Sequence, residues 1–293
     1  MRSYMEKICA GIVTYNPEIE LLIKNLNLIK RQVEKIYIFD NGSSNLENIK
    51  EIDKDIEVIS VGKNVGIAKA LNNIMQHASD EEYEWVLSMD QDTLLGENVI
   101  KKYSEYLNDE SVGILTLKVI RKSSEQKIIY ETPSNNLVDS VQRCPTSGML
   151  LKTSLWEAAG KYDEWMFIDY VDYDMCQKIL LLDKKILRIN EAYMIQNLGD
   201  TKEGSLLGKA FSRSKSLTLN RWARTFNHNP NRNYYYMRNS IYFIRKYKNH
   251  IKVKQEVKKI FSWELKKLLF EKQKLSQFLV IIKGIKDGIM VKI

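Results

Sequence analysis

Two carboxylates one residue apart close an apolar run in the stretch EWVLSMDQDTLL, where Asp90 and Asp92 flank Gln91. The run before them has the length and composition of a buried strand. An unpaired carboxylate is costly to bury and two close together repel, so the pair must meet water, cationic side chains or a metal ion. A divalent cation of the Mg2+ or Mn2+ kind favours carboxylate oxygens combined with substrate phosphates, and Asp92 can hold one against a diphosphate. A second acidic cluster, FIDYVDYDMC, brings Asp169, Asp172 and Asp174 to the mouth of a helix, whose N-terminal dipole favours anions. One capping residue satisfies a helix start; three carboxylates exceed that need.

The elements that must position these groups alternate between strand and helix periodicity. KICAGIVTYN (7–16) reads as a buried strand, followed by Ile19, Leu22, Ile23, Leu26 and Ile29 at helical spacing after the start signal NPE. KIYIFD (35–40) and IEVISV (56–61) are two further strands; Ile67, Ala70, Leu71, Ile74, Met75 and Ala78 mark a second helix, and EWVLSMD is a fourth strand. Strands separated by helices of this length imply a parallel sheet with ligands at the strands' carboxyl ends. The polar clusters TYN, DNGS, GKN and DQD all fall at such ends. Beyond them, 111–120, 145–160 and 186–195 read as strands, with a short helix inside the second, and 171–185 as a helix. A polar loop, GDTKEGSLLG (199–208), marks a shift in composition, and after Tyr234 the chain reads as helical almost to its end.

Two common nucleotide-binding motifs find no match. A dinucleotide-binding fold places G-x-G-x-x-G directly after the first strand, where this chain has VTYNPEI without a glycine, and no phosphate-binding P-loop is present. What remains is an aspartate after strand two, a Gly-Lys-Asn-x-Gly loop after strand three and Asp-x-Asp after strand four. Asp40 can accept hydrogen bonds from a base, and GKNVGIAKALN offers backbone N–H groups and a helix start.

In the order and spacing of VTYNP, FDNGSSN, GKNVGIAKALN, SMDQDT, TSGMLLK, FIDYVDYDMC, NLGD and RNYYYMRN the chain resembles the inverting GT-A glycosyltransferases of family 2, in their bacterial rhamnosyltransferase-like branch. The resemblance implies an α/β GT-A fold, mainly a parallel sheet with helices on both faces, over residues 1–204. A basic helical extension packing on it would cover 205–293. It implies displacement at the anomeric carbon of a dTDP- or UDP-sugar by an acceptor hydroxyl of a surface glycan, free or lipid-linked. Asp90 would face the ribose beside Gln91, and Asp92 would bind the metal. Asp172 takes the place of the general base, with Asp169 and Asp174 orienting the acceptor or capping the helix. Thr14, Tyr15 and Asn16 would line the nucleotide pocket beside Asp40, with Tyr15 as core the competing reading. Lys63, Asn64 and Gly66 would form a loop over the nucleotide, and Ser147 with Gly148 would lie under the donor sugar or simply open a strand. Arg232 and Arg238, interleaved with Tyr234, Tyr235 and Tyr236, would grip the diphosphate, belong to a packed tyrosine stripe, or do both from different helix faces.

One departure stands out. Members of the family often carry a histidine before the LGD-like turn as a further metal ligand; here the position holds Gln196, a weaker ligand that tilts the metal toward Mg2+ and leaves a catalytically weakened, scaffold-like homologue as an alternative. His228 is a remote substitute, more simply a solvated loop residue. A metal-dependent nucleotidyltransferase is a second alternative, separated by its product.

Charge is distributed unevenly. The chain of 293 residues has a formal charge of +8, yet from Ile241 onward 14 Lys or Arg stand against 4 Asp or Glu, a net of +10 that leaves −2 for everything before. A basic amphipathic tail of this kind suits an anionic membrane surface, packing into the enzyme or a homodimer; nucleic acid ranks last because no recognition fold accompanies the charge. Three cysteines without metal-ligand spacing fit a reduced, cytoplasmic setting, on the inner face of the plasma membrane if the tail binds lipid. The first apolar run, ending at Asn16, is too short for a secretory leader.

Overall fold

The computed structural model describes residues 7–122, 128–197, 230–270 and 274–293. The chain divides into two units, Met1–Phe167 with Val171–Asn197, and Ile168–Tyr170 with Leu198–Ile293.

The first unit is built on one sheet, with ten strands among the described residues. β1 (Ile8–Thr14), β2 (Lys35–Asp40), β3 (Glu57–Ser60) and β4 (Trp85–Asp90) are parallel, in the order β3-β2-β1-β4, as the alternation of strand and helix requires. The registers Thr14↔Asp40 and Val13↔Asp90 bring the ends of β1, β2 and β4 to one rim. The sheet then turns mixed. β5 (Thr93–Leu95) follows β4 after a tight turn, β6 (Val112–Lys122) pairs with the short β7 (Ile128–Glu131), and β8 (Val138–Ser140) flanks the long β10 (Lys185–Asn197). β9 (Met149–Lys152) runs antiparallel to both β4 and β6. Its direction follows from its entry: the preceding loop meets β4 at the carboxyl rim, so β9 can only run back down the sheet.

Helices α1 (Ile19–Ile29) and α3 (Ile67–Asp80) cover the parallel half, with the short α2 (Leu46–Lys50) and α4 (Val99–Tyr103) beside them. α5 (Thr153–Ala158) and α6 (Val171–Leu181) serve the later strands. The core is fully buried and apolar, including Ile12, Leu22, Ile38, Trp85, Leu87, Leu115 and Leu150. Each large aliphatic side chain so buried contributes roughly 1.5–3 kcal/mol.

The described residues of the second unit form the helices α7 (Pro230–Lys246), α8 (Val253–Phe270) and α9 (Lys274–Met290). α7 starts on a proline, whose missing N–H costs nothing at a first helical position. α9 lies close on α7 because its contact face carries Gly284 and Gly288; a Cβ there would come within 2.8 Å of the Tyr234 carbonyl oxygen and 2.6 Å of that of Arg238. A buried polar network joins the three helices, with Asn233 donating to Glu264 and Gln277, and Lys267 donating to Asn233 and Glu264. Burial pushes the Glu264 carboxyl above its ordinary value.

Candidate active site

The site is assembled at the carboxyl rim of β1, β2, β3 and β4 by side chains that hold one loop to the next. Asp40 ends β2 fully buried, and its carboxylate accepts from Thr14 Oγ1 (3.3 Å), the backbone of Gly42 (3.1 Å) and Ser43 (3.0 Å), and Ser60 Oγ (3.3 Å). The carboxylate expected from sequence to accept hydrogen bonds from a base thus also braces its own loop. Asn41 extends the stitching, accepting the Val65 N–H at 2.7 Å and thereby tying the Gly-Lys-Asn loop to β2.

The residues after β1 point the other way. Tyr15 is 51% exposed, which rules out the core reading. Its N–H donates to Gln91 Oε1 at 2.8 Å and its carbonyl accepts from Gln91 Nε2 at 3.3 Å. Asn16, left-handed at φ 47°, donates its N–H to Ser43 Oγ and accepts from the backbone and hydroxyl of Ser44. Lys63 and Asn64 are exposed, and Asn64 accepts the Gly66 N–H at 3.0 Å. Gly66 precedes α3 at φ 87°, where a Cβ would lie 2.6 Å from the Phe167 ring; the next N–H, that of Ile67, donates to the Phe167 carbonyl. Only glycine serves there.

Asp90 and Asp92 are both exposed, on either side of the clamped Gln91. The Asp90 backbone is fixed from two sides: its N–H donates to Ser147 Oγ (3.1 Å) and its carbonyl accepts from Asn25 Nδ2 (2.9 Å), an asparagine on the buried face of α1. Ser147 is itself buried, so its hydroxyl acts on β4. Gly148 has φ 79° and a Cβ there would meet Leu117 at 2.7 Å, so the glycine answers a packing need beneath the rim.

Gln196 in β10 pairs directly with Thr93, the neighbour of Asp92. Its Oε1 accepts from Arg121 Nε at 3.2 Å. The amide oxygen expected from sequence to be a weak metal ligand is thus engaged by a guanidinium here. Among the described residues no three of His, Cys, Asp and Glu gather as a metal cage. The exposed Asp92 does fit a cation that takes its remaining ligands from phosphate and water, the usual manner of Mg2+.

Asp172 is half-buried in the first turn of α6, and its Oδ1 accepts the N–H of Tyr173 at 2.9 Å. The Arg143 guanidinium stacks on the Tyr173 ring at 4.7 Å. Asp174, which the sequence reading has orienting the acceptor or capping the helix, is fully buried and paired with Lys178, one helical turn on, at 3.1 Å. Cys144 and Cys176, distant in sequence, bring their sulfurs to 3.6 Å in the core; this contact and burial push the Cys144 thiol well above its usual value.

The second unit holds Asp169, Arg232 and Arg238. Asp169 and Tyr170 are both left-handed, at φ 63° and 65°, and Asn239 fixes them by donating to the carbonyls of Ile168 and Asp169. Arg232 donates to the Asp169 carboxylate at 3.2 Å. Arg238 is buried, bonded to Asn239 at 3.0 Å and stacked on Tyr235 at 4.8 Å, so it belongs to the tyrosine stripe and not to an open diphosphate clamp. A cavity of about 150 Å³ within this unit is lined by Asp169, Arg232, Asn233, Tyr236, Trp263 and Lys267. His228 and the loop 199–208 lie outside the described residues.

Asn41 and Asn239 lie inside the motifs DNGS and RNYYYMRN without a role of their own in the sequence reading, and Asn25 and Arg143 lie outside every motif; the signal for Asn25 is a polar residue on an otherwise apolar helix stripe.

A mixed sheet whose parallel half ends in an acidic turn at its rim is the architecture of the GT-A fold, and two solved structures share it. One is GalNAc-T7 with UDP, GalNAc and Mn2+, at TM-score 0.56 and 12% identity over 82% of this chain and 51% of that one. The other is residues 1–349 of TarS from S. aureus, at TM-score 0.53 and 15% identity over 96% and 90%. Residues 9–188 match Glycosyl transferase family 2, and the chain belongs to that family. It is 27% identical over 267 residues to dTDP-rhamnosyl transferase RfbF of Shigella flexneri, covering 86% of this chain and 84% of that protein. It is also 30% identical to a hyaluronan synthase of Streptococcus pyogenes over 120 residues, 38% of this chain and 29% of that one.

Proposed function

We propose that the protein transfers a sugar, rhamnose being the first to test, from a dTDP- or UDP-linked donor to a hydroxyl of a bacterial surface glycan, with inversion and with help from Mg2+ or Mn2+. The observation that carries this reading is the Asp90-Gln91-Asp92 turn with both carboxylates exposed, locked through Gln91 to Tyr15 just after β1 and through Ser147 to the loop before β9. Likeness to a dTDP-rhamnosyl transferase over most of both chains supports the choice of sugar.

In this reading the nucleotide lies across the loops that Asp40, Asn41 and Asn16 organise, with Lys63 and Asn64 over it and Asp90 toward the ribose. A divalent cation held by Asp92 would neutralise the diphosphate as it leaves. Asp172 takes the proton of the acceptor hydroxyl while the new C–O bond forms and the bond to the diphosphate breaks. The proton ends on the Asp172 carboxylate and the nucleoside diphosphate departs. Asp169, held by Arg232, orients the acceptor.

The Arg121–Gln196 bond favours a second reading, a member with weak metal use and reduced turnover, because it sets a cation where the family often has a ligand. The test is a thermal-shift screen of nucleoside diphosphates and sugar nucleotides with and without metal, followed by product analysis. Release of nucleoside diphosphate with a lengthened glycan supports transfer. Pyrophosphate would mean nucleotidyl transfer, and tight nucleotide binding without turnover would favour the weakened homologue.

A further inference from the structure

Helix α9 has two unlike faces. At 100° per residue, Gln277, Ile281, Gly284 and Gly288 share one side, and all four are buried. The opposite side carries Leu275, Phe278, Leu279, Ile282, Ile289 and Met290, which are 74, 50, 58, 49, 55 and 69% exposed. Six large apolar side chains in one solvent-facing stripe exceed what scattered surface residues explain. The helix has 17 residues, and no described helix is long and apolar enough to cross a membrane.

The charges around the stripe say what covers it. Lys274, Lys283, Lys286 and Lys292 are exposed along and beside it. The acid of this helix, Asp287, accepts from the Tyr234 hydroxyl of α7 at 2.7 Å and so faces inward. α8 in the same unit adds a shallow groove of about 550 Å³ lined by Trp263 and Lys258, Lys259 and Lys266, with no acidic lining residue. A second copy packed on the stripe about a two-fold axis would set lysine rows against lysine rows. An apolar stripe edged by Lys274 and Lys283, with the long Lys286 rising from its middle and an indole beside a cationic groove, matches the boundary between acyl chains and anionic headgroups.

We propose that the exposed face of α9 docks on an anionic lipid bilayer, lying in its surface, with the α8 lysine groove on headgroup phosphates. This is independent of the sugar-transfer reading, because binding is read without donor or acceptor. The full chain is sedimented with vesicles of phosphatidylcholine alone or mixed with phosphatidylglycerol. Binding is expected to the mixed vesicles, to weaken in high salt, and to fall at least about tenfold in the double variant Phe278→Ser, Ile282→Ser and in Lys283→Glu, Lys286→Glu. All four positions are exposed, and unchanged melting temperatures show that the variants fold. Equal binding of wild type and variants, or none to either vesicle, overturns the proposal. So does a dimer in solution that the Phe278 and Ile282 changes dissociate while vesicle binding is absent.

Discussion

Gln91 and Tyr15 are joined by two hydrogen bonds in opposite directions, side chain to backbone, across 76 positions of sequence. The residue between the two acidic groups is thus the strap that fixes their turn against the end of β1. Replacing Gln91 by Leu removes both bonds from an exposed site and is expected to cost only about 1 kcal/mol of stability. The loosened turn should raise the donor KM by about tenfold with a smaller change in kcat, read by steady-state kinetics. An unchanged KM would show that Gln91 merely decorates the turn.

The proposed roles of Asp172 and Asp92 are separable by the step each would affect. Asp172→Asn keeps the shape of the α6 first turn and is expected to lower kcat by about 10²- to 10⁴-fold with nucleotide affinity unchanged. Asp92→Asn is expected to raise the Mn2+ concentration needed for half-maximal activity. Titration calorimetry with nucleoside diphosphate distinguishes them, since only Asp92→Asn should weaken metal-dependent binding.

Gly148 and Gly160 are both left-handed, at φ 79° and 75°, but only Gly148 has a neighbour, Leu117, where a Cβ would go. Gly160→Ala should cost about 1 kcal/mol from backbone strain alone. Gly148→Ala adds overlap in the core and should reach about 2–4 kcal/mol, measured by urea unfolding.

Asp139 gives the acid limb of stability a specific origin. Its carboxylate accepts from Asn136 (2.8 Å), Ser134 (2.7 Å), Asn190 (2.8 Å) and Arg188 (2.8 Å), and these bonds, Asn136 first, hold it well below the usual carboxylate range. A lowered folded value means that the stabilisation is complete above the ordinary aspartate value of about 3.9 and is lost as pH falls below it. The stability gap between wild type and Asp139→Asn, followed by denaturant titration from pH 6 to pH 2.5, should therefore narrow with acid. A constant gap would remove Asp139 from the account.

Much of the architecture was legible because it is written in local periodicity. Strands β1, β2, β3 and β4 and helices α1 and α3 have apolar residues at spacings of two or 3.6, and the polar clusters DNGS, GKN and DQD interrupt them where the chain turns at the rim. The antiparallel course of β9 and the short β5, β7 and β8 left no such mark, since three or four residues hold too little periodicity and their pairing is decided by partners far along the chain.

At the site the division is sharper. Sequence alone determined which residue types are present, an acidic pair after an apolar strand and an acidic cluster before a helix, because carboxylates at such places demand a partner wherever they fold. Whether each one meets solvent or its own scaffold was decided by tertiary structure. Asp40 and Asp174 are turned inward by donors from distant segments and by Lys178, Gln196 is met by Arg121, and Asp90 and Asp92 are exposed at the rim. Burial and hydrogen-bond partnership belong to the packed chain, and side-chain identity does not encode them one residue at a time.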